Sequence, residues 1–208
     1  MNIRFSGREL RDFAVAWLAL TVAFAIFFNR GLLRGLLAGF VPLGTLLRIG
    51  AESLLVVGTG FLLHELAHKV VAVHFGQAAE FRADYNMLGL AVLSALAGFL
   101  FAAPGAVHHR GRITARENGL IALAGPAVNA GLAAGFFALA VSTRGLFGSV
   151  ADLGFIVNIL LAGFNMIPFG PLDGRTVLRW STPVFAVAFA LTGGVAAVVL
   201  FGPLLSGL

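Results

Sequence analysis

The sequence predicts an all-α polytopic membrane protein with about five to six transmembrane helices and a re-entrant or strand-forming segment near residues 87–107. Its 208 residues are 59% hydrophobic and 11% charged, and their mean hydropathy is +0.97. Soluble domains have a lower apolar content and more charged residues. Several uninterrupted apolar runs also approach or exceed the roughly 20 residues that a helix needs to cross the hydrocarbon core. We therefore expect residues 1–208 to form a single membrane domain.

Five apolar runs have the length of a spanning helix, and they lie at about residues 12–29, 52–75, 117–142, 151–168 and 184–206. Residues 31–49 are also apolar, but they contain Arg34, Pro42 and Arg48. Charges and a proline in such a run indicate an interfacial or partly inserted segment. No small-residue cleavage site follows the first apolar run, so we expect the first helix to be retained.

The charged residues indicate a lipid environment rather than a nucleic-acid partner. The formal net charge is +5, but the arginines stand in short clusters between apolar runs. This distribution is typical of membrane topology signals, so we expect the bilayer as surroundings and no nucleic acid as partner. The sequence contains no cysteine. Any bound metal must therefore be held by His, Asp or Glu side chains.

A metal-binding motif lies inside the second of these apolar runs, where residues 64–68 read His-Glu-Leu-Ala-His. On a helix, His64 and His68 share one face and can bind one Zn²⁺, while Glu65 beside them is placed to act as a general base. Ionisable groups inside an apolar span cost several kcal/mol unless they pair or bind something. The motif therefore predicts a metal-assisted hydrolytic site within the membrane.

A third ligand is expected because a catalytic zinc usually has three protein ligands and one open position. Asp173 is the candidate, since it follows Pro168 and Pro171 in the segment Asn-Met-Ile-Pro-Phe-Gly-Pro-Leu-Asp-Gly at residues 165–174. Two prolines end a helix and let irregular backbone present a carboxylate from within the protein.

The two motifs together resemble the site-2 protease family of intramembrane metalloproteases. A third element, Gly-Pro-Ala-Val-Asn at residues 125–129, is similar to the family's Gly-Pro-x-x-Asn motif. The resemblance covers residues 52 to about 180. It implies a three-helix catalytic core in that range, with flanking helices at about 12–29 and 184–206.

The resemblance also implies the roles of individual residues. One zinc ion per chain would be held by His64, His68 and Asp173, with Glu65 as general base. Asn129 and Asn165 would face the site, where either is placed to donate to the substrate carbonyl or its oxyanion; the alternative for each is a hydrogen bond between helices. The implied activity is hydrolysis of peptide bonds within or near the transmembrane segments of membrane-protein substrates.

The ligands must meet at one depth in the membrane, which constrains the topology. His68 lies near the end of the helix at 52–75, and Asp173 follows the helix at 151–168, so these helices must run in the same direction. Residues 87–107 would then dip in and return as a short helix followed by a strand through 99–107. This topology puts nine arginines on the N-terminal side and four on the other. The excess predicts a cytoplasmic N terminus in the cell membrane and a zinc nearer the cytoplasmic face.

One alternative is a metal transporter or membrane zinc-binding protein without hydrolytic activity, because inward-facing histidines and aspartates also mark ion pathways. Glu65 favours the protease, since a transporter needs no base beside its first histidine. A scaffold that only binds a partner helix would leave the buried charged motif unexplained. The sequence identifies neither the substrate nor an oligomeric state.

Overall fold

The structure, a computed structural model, describes residues 3–101 and 103–202. Within these ranges it has five helices long and apolar enough to cross a membrane, and they are α1 (Gly7–Phe28), α3 (Leu43–His74), α5 (Ala115–Ser142), α6 (Gly145–Asn165) and the helical stretch Thr182–Phe201. The last stretch comprises α8 (Thr182–Phe189), a π-helical segment (Ala190–Gly194) and α9 (Val195–Phe201). The prediction of an all-α polytopic membrane protein is confirmed. Residues 203–206 of the last predicted helix lie outside the described residues.

Shorter elements connect the long helices: α2 (Leu32–Leu37), β1 (Ala78–Ala83), α4 (Tyr85–Leu96), β2 (Gly105–Arg110) and α7 (Asp173–Trp180). Polar side chains fix several helix starts by accepting hydrogen bonds from backbone N–H groups of the first turn. Ser6 accepts from Glu9 N at 3.1 Å before α1. Thr114 and Glu117 form a reciprocal capping box at the start of α5.

The apolar segment at 31–49 divides between a short helix and the start of a long one. α2 is followed by a break at residues 38–42, and α3 begins at Leu43 rather than at residue 52. Arg48 and Glu52 then lie one turn apart on α3, with 3.9 Å between their charged groups. Isolated charges would disfavour an apolar helix here. Arg48 and Glu52 are instead partners on the same face of α3, so both can be accommodated in the helix.

Residues 87–107 do not form a long helix. α4 is a short apolar helix, and β2 follows it, so the order of a short helix and a strand is as predicted. The strand, however, runs over Gly105–Arg110 rather than over 99–107, a range whose residue 102 is not described. Its register is set by pairing with β1. Pro104 O accepts from Asp84 N at 2.9 Å at one end, and Arg112 O accepts from Gln77 Nε2 at 2.9 Å at the other.

By its internal contacts the chain divides into two compact units. The N-terminal unit contains residues 5–62 and 81–106, and the histidine unit contains residues 3–4, 63–80 and 107–202. In the N-terminal unit, α1 holds the end of β1 through two buried carboxylates. Glu9 Oε1 accepts from Phe81 N at 2.9 Å, and Asp12 Oδ2 accepts from Ala83 N at 3.4 Å. The strand edge facing α1 is thus satisfied by side chains instead of by a third strand.

The histidine unit is built on α5, α6 and α7. Ala122, Met166 and Val177 form a buried apolar cluster that joins these three helices. Gly119 on α5 lies against the Trp180 ring so closely that a Cβ there would overlap it. Together these contacts fix α7, and therefore its first residue, against α5. The single domain at 1–208 with a core at about 52–180 stays a prediction.

Candidate metal centre

Two helices of the histidine unit bring the predicted ligands together. His64 and His68 lie one turn apart on α3, with ring centroids 4.7 Å apart. Asp173 is the first residue of α7, and its Oδ2 lies 3.4 Å from His64 Nε2 and 3.3 Å from His68 Nε2. One ligand atom from each of the three residues falls within 4.8 Å of the others. The three side chains can therefore bind a single metal ion.

The segment after α6 explains how Asp173 reaches the histidines. α6 ends at Asn165, and the following residues turn at Gly170, whose φ of +61° favours glycine. Gly174 lies against the backbone of Met166, where a Cβ would lie 2.8 Å from the Met166 Cα and closer to its carbonyl group. The start of α7 can pack against the end of α6 only because residue 174 has no side chain.

The separation of Asp173 from each histidine fits zinc. Zinc binds imidazole nitrogen and carboxylate oxygen at about 2.0–2.2 Å, so two such ligands at a tetrahedral angle lie about 3.3–3.5 Å apart. The two distances from Asp173 Oδ2 to the histidines, 3.4 and 3.3 Å, match this separation. Two imidazoles and one carboxylate also leave the fourth position of a tetrahedral ion for water or substrate.

The charges at the centre are shielded from solvent by the surrounding helices. His64, Glu65 and His68 are all buried. Glu65 Oε2 has no hydrogen-bond partner in the described part of the chain. Burial raises the pKa of the Asp173 carboxyl, but the neighbouring His68 and His64 outweigh it and bring the pKa to about 2. Asp173 is thus the anionic ligand that a divalent cation requires.

Gly125 on α5 forms one wall of the centre. A Cβ at this position would lie 2.5 Å from His64 Nε2 and closer still to His68 Nε2. The next residue, Pro126, lies inside α5 and leaves the Ala122 carbonyl without its usual helical donor. The glycine of the Gly-Pro-x-x-Asn motif, Gly125, therefore leaves room for the two imidazole rings.

Each histidine has a second contact through its other ring nitrogen. His68 Nδ1 donates to the backbone carbonyl of Ile121 at 2.7 Å. His64 Nδ1 lies in hydrogen-bonding contact with Asn129 Oδ1. Such contacts fix the ring orientation of metal-binding histidines. Sequence reasoning did not identify Ile121, because a backbone carbonyl carries no sequence signal.

The two predicted asparagines have different surroundings. Asn129 contacts His64 and also donates through Nδ2 to Asn158 Oδ1 at 2.8 Å. Asn165 donates to Leu161 O of its own helix at 3.0 Å. Asn158, on α6, is fully buried and was missed by sequence reasoning. The available signal was an amide within the apolar run at 151–168, where polar groups are costly unless they have a partner.

The relatives of this chain among known proteins include two that are named as zinc metalloproteases. The protein named "Putative zinc metalloprotease MJ0611" from Methanocaldococcus jannaschii is 39% identical over 188 residues, which are 88% of this chain and 90% of that protein. The protein named "Putative zinc metalloprotease Rip3" from Mycobacterium tuberculosis is 33% identical over 136 residues, which are 63% of this chain and 31% of that protein. No protein-family model matches the chain, and no solved structure matches it significantly.

Proposed function

The chain belongs to the family of the protein named "Putative zinc metalloprotease MJ0611", and on that premise we propose that it is an intramembrane protease of the site-2 type. One observation carries the proposal. Asp173 Oδ2 lies at the spacing of zinc ligands from both His64 and His68, and the buried Glu65 follows His64 in the chain. The proposed cofactor is one Zn²⁺ per chain.

The proposed reaction is hydrolysis of a peptide bond. A zinc ion held by His64, His68 and Asp173 would supply a Lewis acid for the scissile carbonyl and for the attacking water. Glu65 takes a proton from the attacking water as the oxygen forms a bond to the carbonyl carbon. Glu65 then passes the proton to the amine as the C–N bond breaks. Its Oε2 has no hydrogen-bond partner in the described ranges, which supports an oxygen available to exchange a proton.

Asn165 keeps the proposed role of donor to the oxyanion. Its one Nδ2 bond within α6 leaves the second N–H of the amide for a substrate oxygen. Asn129 is less suited to this role, because it is fully buried, with its oxygen in contact with His64 and its nitrogen donating to Asn158. We therefore place Asn129 behind the histidine instead of at the reacting carbonyl.

The proposed substrate is a membrane protein cut in or near a transmembrane helix. A helix hides its peptide bonds in its own hydrogen bonds, so the substrate must unwind before cleavage, and pairing as an added strand would hold it open. In the described part of the chain, β2 has one strand neighbour, β1. Strand alternation directs the backbone groups of Val107 and His109 to the other edge of β2. We propose that the unwound substrate pairs there.

The proposed location is the cell membrane, as a multi-pass protein with a cytoplasmic N terminus. The five apolar helices make the chain a membrane protein. The orientation rests on the excess of arginine in the segments assigned to the N-terminal side. Water would then reach the centre from the cytoplasmic face.

The test is cleavage of a helix-destabilised transmembrane substrate by the purified full-length chain, with zinc quantified in the same samples. We expect about one zinc per chain in both wild type and Glu65→Gln, and chelator-sensitive cleavage by wild type alone. Glu52→Gln is the matched control, since Glu52 lies on the same helix away from the ligands. We expect it to cut like wild type.

Two outcomes would contradict the proposal. Cleavage by Glu65→Gln at the wild-type rate would remove Glu65 as the base. Zinc binding by both chains without cleavage of any transmembrane substrate would favour the metal-transporter alternative, because the same three ligands suit an ion pathway.

A further inference from the structure

Two buried amides link His64 to the backbone of α6. Asn129 on α5 and Asn158 on α6 are both fully buried. Asn158 Nδ2 donates to Gly154 O at 2.9 Å, and Asn158 Oδ1 accepts from Asn129 Nδ2 at 2.8 Å. Asn129 Oδ1 in turn faces His64 Nδ1. The series of contacts therefore begins at a backbone carbonyl and ends at an imidazole ring.

The direction of this series follows from its first member. A carbonyl oxygen only accepts hydrogen bonds, so Gly154 O requires the NH₂ group of Asn158. The oxygen of Asn158 must then face Asn129 and requires the NH₂ group of that residue. This leaves the oxygen of Asn129 facing His64. Because an amide oxygen only accepts, His64 must carry its proton on Nδ1 and present the lone pair of Nε2.

The lone pair of Nε2 is the one that a metal ion at this centre would bind. His64 Nε2 lies 3.4 Å from Asp173 Oδ2, at the spacing of two ligands of one ion. A reversed Asn129 would present NH₂ to Nδ1 and so favour the tautomer with a proton on Nε2, which cannot bind a metal. The orientation of the Asn129 amide therefore determines whether His64 is a ligand.

We propose that Asn158 is a positioning residue that orients Asn129, and through it fixes the metal-binding tautomer of His64. This rests on the proposed zinc site, which Asn158 reaches through its hydrogen bond with Asn129. An amide that only bridged α5 and α6 would stabilise the helix pair without affecting metal affinity. The two roles therefore differ in what a substitution at Asn158 changes.

The experiment measures zinc affinity of the full-length chain in detergent by competition with a chromophoric chelator. Asn158→Leu removes both hydrogen-bonding groups at similar size, and with them the acceptor of the Asn129 NH₂ group. We expect the affinity to fall about 10–100-fold, the usual effect of losing a hydrogen-bonding partner of a ligand. The Co²⁺ absorption spectrum should also change, because the geometry around the ion is altered.

Asn158→Asp is the conservative variant. A carboxyl group still offers an oxygen to Asn129, and in its protonated form it also donates to Gly154 O. We expect the zinc affinity of this variant to stay within about threefold of the wild-type value, well short of the loss expected for Asn158→Leu. Thr192→Val is the matched control, because Thr192 is a buried polar residue whose hydroxyl donates to Ala188 O of its own helical stretch. It should leave zinc affinity unchanged.

Thermal unfolding of the metal-free chains separates positioning from packing. The proposal is supported if Asn158→Leu loses zinc affinity, Asn158→Asp retains it, and the loss does not follow the unfolding temperature. It is overturned if folded Asn158→Leu binds zinc like wild type, or if folded Asn158→Asp binds as weakly as Asn158→Leu. Absence of zinc binding by wild type would overturn the proposed function itself, which distinguishes the two failures.

Discussion

The two histidines of α3 lie one turn apart and present their Nε2 atoms to the same carboxylate, yet α5 anchors them differently. His68 donates to a backbone carbonyl, that of Ile121. His64 is held by the side chain of Asn129, which Asn158 supports from α6. The carbonyl that holds His68 is present whatever amino acid stands at position 121. The contact that holds His64 requires asparagine side chains at positions 129 and 158. The His68 side should thus tolerate substitution, and the His64 side should not.

The largest loss of zinc affinity should come from a substitution at Gly125, which lies against both histidine rings. In Gly125→Ala, the added Cβ would overlap Nε2 of His64 and His68, and both anchors would have to yield. Overpacking of this kind costs about 1–3 kcal/mol, which corresponds to roughly a 5–150-fold loss of zinc affinity. The measurement is a chelator competition titration together with substrate cleavage.

Gly131→Ala is the control for this substitution. Gly131 lies on the same helix, and a Cβ there would meet nothing within 4 Å. Its zinc affinity should equal that of wild type. Wild-type affinity in Gly125→Ala as well would show that the two imidazoles can move away from α5 without loss of the site.

The next effect isolates the His64 side. Asn129→Leu removes the oxygen that faces His64 Nδ1, and zinc affinity should fall about 10–100-fold. Asn165→Leu offers a contrast, because Asn165 bonds within its own helix. It should bind zinc normally but lower kcat if Asn165 donates to the oxyanion. Equal zinc affinities for both variants would argue against Asn129 as the anchor of His64.

A double substitution tests whether Asn158 acts on His64 through Asn129. If Asn158 acts only through Asn129, the combined variant Asn129→Leu with Asn158→Leu should bind zinc no more weakly than Asn129→Leu alone. Two independent contributions would multiply instead. The measurement is the zinc affinity of wild type, the two single variants and the double variant under one condition. If the loss of affinity in the double variant equals the product of the two single losses, Asn158 does not act through Asn129.

The smallest effect belongs to the His68 side. Ile121→Val deletes one buried methylene group but keeps the carbonyl that accepts from His68. The free energy of unfolding should fall by about 0.5–1.5 kcal/mol. Zinc affinity should stay unchanged, and both are measured on the same preparation. A drop in affinity as large as that of Asn129→Leu would remove the difference between the two anchors.

This difference also explains which parts of the centre the sequence predicts. His64, Glu65 and His68 stand out because charged groups are rare in an apolar run, and Asp173 stands out after two prolines. Asn158 is equally visible as an amide in such a run, but its partner depends on how α5 and α6 pack. The carbonyl of Ile121 is not visible at all, because every residue has one.

The fold shows a similar division between local and paired structure. The long helices follow from apolar length, which is a local property of the chain. The position of β2 does not, because its register depends on pairing with β1, a strand that apolar runs do not reveal. The early start of α3 likewise depends on a pair, since Arg48 and Glu52 partner each other across one turn.

The carboxylates of α1 have a consequence for the order in which the protein is made. Synthesis runs from the N terminus, so Glu9 and Asp12 emerge well before Phe81 and Ala83, the residues whose N–H groups they accept from. Before β1 exists, burying these two charges in lipid would cost several kcal/mol. We therefore expect the first turns of α1 to stay at the membrane surface during biogenesis until β1 has been made and can donate to the two carboxylates.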